Sequence, residues 1–229
     1  MRIIIVDGPD NTGKSLFISN LINYIETVLG KTAVTIHFGK PTKEMPLQVW
    51  YYGWMMNLTD FSVRHIYYDK DFYMSNTGHI DKDEVDFVIV DRFMYSEYVY
   101  GPIYRNANKI QTMQYITAIE DIAKFDGYVA FVLLTSSHPK LLMKMEDGES
   151  QSEGKLQNIE NEIKSFDEIF NSSIIDYSYK IDVSQDDETF KNQTHILDEV
   201  ILNLQKQGFF DEYEYEFEPD ELSNSTASV

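Results

Sequence analysis

Residues 8–15 read Gly-Pro-Asp-Asn-Thr-Gly-Lys-Ser, a Gly-x4-Gly-Lys-Ser element at the earliest place a domain can hold one. The segment before it, Arg2-Ile3-Ile4-Ile5-Val6-Asp7, is β-branched and apolar, the pattern of a buried parallel strand. After it, Leu16, Phe17, Leu21, Ile22, Ile25, Val28 and Leu29 lay one apolar stripe along a helix. A glycine-containing turn between strand and helix is the context that makes the pattern a phosphate site. The glycines let backbone N–H groups curl toward a phosphate chain, and the helix N-terminus adds positive potential. Gly8, Asn11, Thr12, Gly13, Lys14 and Ser15 are therefore the expected contacts to a nucleoside triphosphate such as ATP. Lys14 is expected at its β- and γ-phosphates and Ser15 at Mg2+.

Apolar runs recur along the chain at 32–38, 85–91, 128–134 and, more weakly, 177–183. Helical patterns fall between them, near 46–66, 107–125, 155–172 and 187–206. The 155–172 stretch sets Leu156, Ile159, Ile163, Phe166, Ile169 and Phe170 on one face, with charges expected elsewhere. This alternation predicts an α/β fold: a three-layer α/β/α sandwich around a five-stranded parallel sheet, with ligands at the carboxyl ends of the strands. One nucleotide-binding domain is expected over residues 1–210. Residues 211–229 are expected to form an acidic, solvated and flexible tail, although the alternating acids and aromatics of 211–218 also fit an edge strand or a partner-binding strip.

The chain has no cysteine, which excludes disulfides and thiolate metal sites. The five histidines show no metal-ligand spacing and are assigned no chemistry. No signal-peptide pattern opens the sequence and no apolar run nears the roughly 20 residues of a membrane span, so a cytoplasmic protein without membrane contact is expected. The formal net charge of −19 repels polyanions, which argues against a long nucleic-acid groove. A small phosphorylated ligand stays compatible, because its site can be locally basic and Mg2+ cancels part of its charge.

A phosphate loop alone leaves several chemistries open. The guanine-recognising Asn-Lys-x-Asp is absent, since Asn108-Lys109-Ile110 is followed by Gln111. The chain holds only four arginines: Arg2, Arg64, Arg92 and Arg105. Arg2 opens the first strand and is expected at the surface. Asp91 ends the third strand, where a carboxylate orients Mg2+, and Arg92 beside it suits a second phosphate group, which a guanidinium binds bidentately.

The run Asp91-Arg92-Phe93-x-x-Ser96-x-x-x-Tyr100 resembles the Asp-Arg-aromatic-x-x-Ser-x-x-x-Tyr signature of the thymidylate kinases. The Gly-x-Asp-x-x-Gly-Lys-Ser form of the phosphate loop agrees with that family. The continuation Tyr100-Gly101-Pro102-Ile103-Tyr104-Arg105 looks like variants encoded by phages and other DNA viruses. The resemblance runs from the first strand to about residue 170 and implies a kinase with a helical lid near 138–155. It implies that Asp10 accepts from a deoxyribose 3′-hydroxyl and that Arg92 clamps the acceptor monophosphate. Ser96 would face the pyrimidine edge, and Tyr100 would pack under the sugar and disfavour a 2′-hydroxyl. Phe61 and Arg64 are the nearest matches to the family's stacking ring and base-contacting arginine, with Trp50, Tyr51, Tyr52 and Trp54 crowding the same segment. A homodimer built on helices such as 46–66 and 107–125 is implied as well.

The family's phosphoryl-stabilising arginine has no counterpart here, because the loop position is Asn11 and the 138–155 stretch holds only lysines. Lys144 is the first candidate for that catalytic cation beside Lys14 and Arg92, with Lys155 second and Arg105 able to swing in. The expected reaction is transfer from ATP to a deoxynucleoside monophosphate, foremost dTMP, with 5-substituted dUMP and other bases open. A phosphate acceptor is already ionised and needs no strong base. A deoxynucleoside kinase, in which Asp7 is the base, remains the nearest alternative, and a catalytically weak ATP-binding partner protein is an alternative from another class.

Overall fold

The computed structural model describes residues 2–37, 85–126, 128–146, 148 and 150–211. The expected helix 46–66, with Phe61, Arg64 and its Trp and Tyr cluster, lies outside them, as does the chain beyond 211. The strands are β1 (Arg2–Asp7), β2 (Ala33–His37), β3 (Phe87–Asp91), β4 (Tyr128–Thr135) and β5 (Tyr177–Asp182). The helices are α1 (Lys14–Thr27), α2 (Met94–Tyr104), α3 (Lys109–Asp126), α4 (Pro139–Lys144), α5 (Leu156–Ser172) and α6 (Gln193–Lys206).

All five strands join one parallel sheet in the order β2-β3-β1-β4-β5. The expected fold class is the one observed. β1 is central and buried on both faces, which is why it reads as an unbroken apolar run rather than an alternating one. Ile3 and Ile5 face one core with α2, α3 and α5, while Ile4 and Val6 face a second core with α1 and α6. The chain turns to opposite sides of β1 at this strand, so its carboxyl end is the switch point where α/β sheets bind ligands.

Three expectations need correction. Arg2 is 2% exposed and not a surface residue. Its Nε donates to the Phe209 carbonyl, and its guanidinium lies 4.5 Å from the centre of the Tyr128 ring, so the turn after α6 buries it at the base of β1. Helix α2 was not among the expected helices, and it runs through a Gly101-Pro102 pair. Burial of Met94, Tyr95, Val99 and Tyr100 holds the helix despite that pair. α6 begins at Gln193 rather than near 187, where Asn192 caps it by accepting from the Thr194 N–H at 2.8 Å. No helix among the described residues is long and apolar enough to cross a membrane.

Phe209 and Phe210 close the second core edge-to-face, with ring centres 5.0 Å apart. Phe209→Ala leaves a cavity beside Arg2 and is expected to lower stability by about 3–5 kcal/mol, seen as a lower urea midpoint with unchanged slope.

Candidate active site

Everything at the carboxyl edge of the sheet is arranged around the end of β1. Asp7 is 0% exposed and its carboxylate accepts four hydrogen bonds. Oδ1 takes the Gly8 N–H and the Ser96 hydroxyl, both at 2.8 Å; Oδ2 takes the N–H groups of Phe93 at 3.0 Å and Ser96 at 3.1 Å. Burial pushes this carboxyl up, against the lowering by those donors and Lys14. Asp7 thus ties the phosphate loop to the N-terminus of α2.

The loop itself is tightly built. A Cβ on Gly8 (φ +147) would sit 2.0 Å from the Leu134 carbonyl oxygen, so only glycine lets β1 turn there beside β4. Asn11 and Gly13 have left-handed backbones, and the Thr12 hydroxyl donates to the Pro9 carbonyl at 2.9 Å. Asn11 Nδ2 reaches the Leu142 carbonyl on α4 at 3.4 Å. Lys14 Nζ lies back over the loop, donating to the carbonyls of Gly8 at 2.8 Å and Pro9 at 2.6 Å. Burial, and then Arg92, bring its ammonium down to about 8. Ser15, in the first turn of α1, is exposed.

One strand away, Arg92 has a left-handed backbone (φ 66), an uncommon state for a non-glycine residue that aims its side chain across the crevice. Its Nη2 meets Asp10 Oδ1 at 2.6 Å. Burial acts against both charges. Lys14 and Arg92 outweigh it at Asp10, whose carboxyl stays below the usual range, while Tyr100 and Asp10 outweigh it at Arg92. Asp91 pairs instead with His37 Nδ1 at 3.0 Å, although no histidine had been given a role. Among the described residues no three His, Asp or Glu side chains gather to hold a metal by themselves.

Of the residues expected at the acceptor, Asp10, Arg92 and Tyr100 interact with one another, whereas Ser96 turns its hydroxyl to Asp7. The Tyr100 hydroxyl is buried with no hydrogen-bond partner among the described residues. Arg105 is held by Glu97 and by Gln151 Oε1 at 2.8 Å. Lys144 reaches away, to the Asp187 carbonyl at 3.2 Å and Glu188 at 3.6 Å, and Lys155 pairs with Glu153. The acidic lid segment also consumes its own charge, since Glu146 accepts from the Gly148 and Ser150 N–H groups and the Ser150 hydroxyl.

Sequence reasoning missed Glu97, Gln151, Tyr104 and Glu162. Glu162 is 1% exposed on α5 and accepts from the Tyr104 hydroxyl. Burial pushes its carboxyl up to about 7. It lies on the α5 face that had been expected to be free of charge, three residues after Ile159 and four before Phe166, while Ile163 is only half-buried. An acid on an apolar stripe was the available signal.

No protein-family model matches the chain, and no curated protein matches it in sequence. Solved structures do match. YorR from Bacillus subtilis, determined in complex with phosphorylated GDP, superposes with a TM-score of 0.59 at 17% identity, over 90% of this chain and 97% of YorR. Polyphosphate kinase 2 from Arthrobacter aurescens TC1 gives 0.54 at 14% identity, over 90% of this chain and 68% of that one. A candidate polyphosphate kinase 2 from Pseudomonas aeruginosa PA01 gives 0.57 at 11% identity, over 95% of this chain, which spans 43% of that protein's length. The chain shares the α/β fold of these proteins. At these identities the likeness is one of fold, and the chemistry rests on the P-loop residues and their neighbours.

Asp7→Asn presents an amide N–H2 to two of the four donors now served by the carboxylate. It is expected to destabilise the protein by about 3 kcal/mol in urea unfolding, and Ser96→Ala by about half as much.

Proposed function

We propose that this chain is an ATP- and Mg2+-dependent kinase that phosphorylates a deoxynucleoside monophosphate, with dTMP to dTDP as the favoured reaction. One observation carries the reading: Arg92, on a left-handed backbone at the end of β3, is held at 2.6 Å by Asp10 of the phosphate loop itself. A fixed guanidinium facing the loop that holds the donor is what an acceptor bearing its own phosphate requires. The γ-phosphoryl would pass in line from ATP to an oxygen of that phosphate, the bond to the β-phosphate oxygen breaking as ADP leaves.

Lys14 would leave the Gly8 and Pro9 carbonyls for the donor phosphates. Ser15 and Asp91 are the oxygen ligands available to Mg2+, which is held by one or two protein oxygens together with phosphates and water, so the residues fit the ion. The ion would supply charge neutralisation at the transferring group. Asp10 and Tyr100, which both act electrostatically on Arg92, would serve the sugar of the acceptor, in line with the thymidylate kinase resemblance. Lys144 remains a candidate for the transferring group only if it releases Asp187. Cytoplasmic location and a homodimer through α3 and the segment before β3 belong to the same proposal.

Asp7 weighs against the deoxynucleoside kinase alternative, because a carboxylate that already accepts four hydrogen bonds has no oxygen free to take a hydroxyl proton. A polyphosphate substrate is disfavoured by the net charge of −19.

ADP release with ATP and Mg2+ should appear with dTMP or a close analogue and not with free nucleosides. Arg92→Ala should lower kcat/KM for the monophosphate by at least about 100-fold, the loss of a charge-assisted phosphate clamp. Turnover on nucleosides or polyphosphate alone would sink the proposal, as would ATP binding without turnover on any acceptor.

A further inference from the structure

Glu162 is a buried acid beside the site that the reaction above leaves unused. Unlike Asp7 with its four donors and Glu97 with Arg105, it has only a tyrosine hydroxyl as its partner among the described residues. Charged and polar groups from four elements act on it or on its partner Tyr104. From α2, Tyr104 donates to its Oε1, and the buried Tyr100 hydroxyl has no hydrogen-bond partner among the described residues. From the phosphate loop it feels Asp10 and Lys14, and from the end of β3, Arg92. The lid's Glu153 acts on Tyr104. α4 packs on α5, but its charged residues, Lys140 and Lys144, act on Asp187 instead. β4 brings only apolar side chains to this core, Phe131 and Leu133 among them. Three buried or nearly buried carboxylates, Asp7, Asp10 and Glu162, therefore share two cations, Lys14 and Arg92.

That balance is already on the negative side before any ligand arrives. A nucleoside monophosphate brings a further dianion next to Arg92, and the cation that offsets Glu162 is then taken by phosphate. Asp7 cannot relieve the charge, being saturated with donors, and Asp10 is held ionised by Arg92. Glu162 is different: its only hydrogen bond among the described residues is the one from Tyr104 to Oε1, which leaves Oε2 able to carry a proton without losing that contact.

We infer that Glu162 is the proton-uptake residue of the acceptor site: entry of a monophosphate beside Arg92 draws one proton from solvent onto the Glu162 carboxylate, which keeps it while the ligand stays. This rests on the monophosphate-kinase reading. The proton forms an O–H bond at Oε2 and returns to solvent on release; no other bond changes. The free carboxyl already titrates near neutrality, at about 7, and a bound dianion raises it further. The protonated protein is then the tighter binder, so affinity is greatest below that value. It falls by up to about tenfold per pH unit as pH rises through it.

The test is calorimetric titration of the full chain with dTMP at pH 7.5 in buffers of different ionisation enthalpy. Wild type should take up a fraction of a proton per dTMP bound, over and above any change in the nucleotide's own phosphate. Glu162→Gln should lose that increment and flatten the pH dependence of Kd, since the amide keeps the shape and the acceptor for Tyr104 but cannot titrate. Tyr104→Phe removes the hydrogen bond that favours the anion, and should move the fall in affinity to higher pH. Thymidine, lacking the phosphate, should bind without uptake. Equal uptake by wild type and Glu162→Gln, or none by either while dTMP binds, overturns the inference and leaves the kinase reading intact. Failure of every deoxynucleoside monophosphate to bind overturns both.

Discussion

The architecture depends on a single carboxylate with nothing to spare. Asp7 ends the central strand, lies out of solvent, and accepts four hydrogen bonds from two segments that are distant in sequence. A buried carboxylate is costly unless its lone pairs are filled. Here filling them sets the spacing between the phosphate loop and the N-terminus of α2. Arg92 sits on that second segment, so its left-handed backbone and its reach to Asp10 follow from how β3 and α2 are tied to β1. The two halves of the site are thus held at a distance fixed by one residue that takes no part in binding.

Charge is distributed by a similar economy. The chain as a whole is strongly acidic, yet the crevice holds both Lys14 and Arg92; Arg92 acts on Lys14, and the acids around them act on both. Elsewhere cations are drawn away from the crevice: Arg105 to Glu97, Lys144 to the loop after β5, Lys155 to Glu153. Glu146 of the lid is likewise turned onto its own backbone. An acidic protein can bind an anion under these conditions because the local field at the loop, and not the sum over the surface, is what the ligand meets.

The strands and the phosphate loop were legible because their cause is local. A run such as Arg2–Asp7 must be buried on both faces, and a Gly-x4-Gly-Lys-Ser turn can do little else. α2 was not legible because its stability comes from burying Met94, Tyr95 and Tyr100, a tertiary effect that overrides the Gly101-Pro102 signal. Arg2 was misjudged for the same reason: the residues that cover it come from the far end of the described chain. At the site, Asp10 could be named from the phosphate-loop motif, and Arg92 and Tyr100 from the motif at the end of β3. The engagement of Ser96 with Asp7 depends on how α2 meets the end of β1, and the burial of Glu162, expected among the charges off the apolar face, on how α5 meets α2; spacing alone does not report either.

The clasp between Arg2 and Phe209 also bears on the order in which the molecule can be made. β1 is synthesised first, yet neither of its neighbours, β3 and β4, nor the ring that covers its first residue exists until much later. During translation this apolar strand must wait for those neighbours, with its arginine still in water. Placing a charged residue at the base of that strand keeps the nascent segment from presenting an uninterrupted greasy edge. The charge is withdrawn from solvent only when Phe209 emerges and closes over it. The same residue is a solvated charge early in the chain's life and a buried fastener at the end of it.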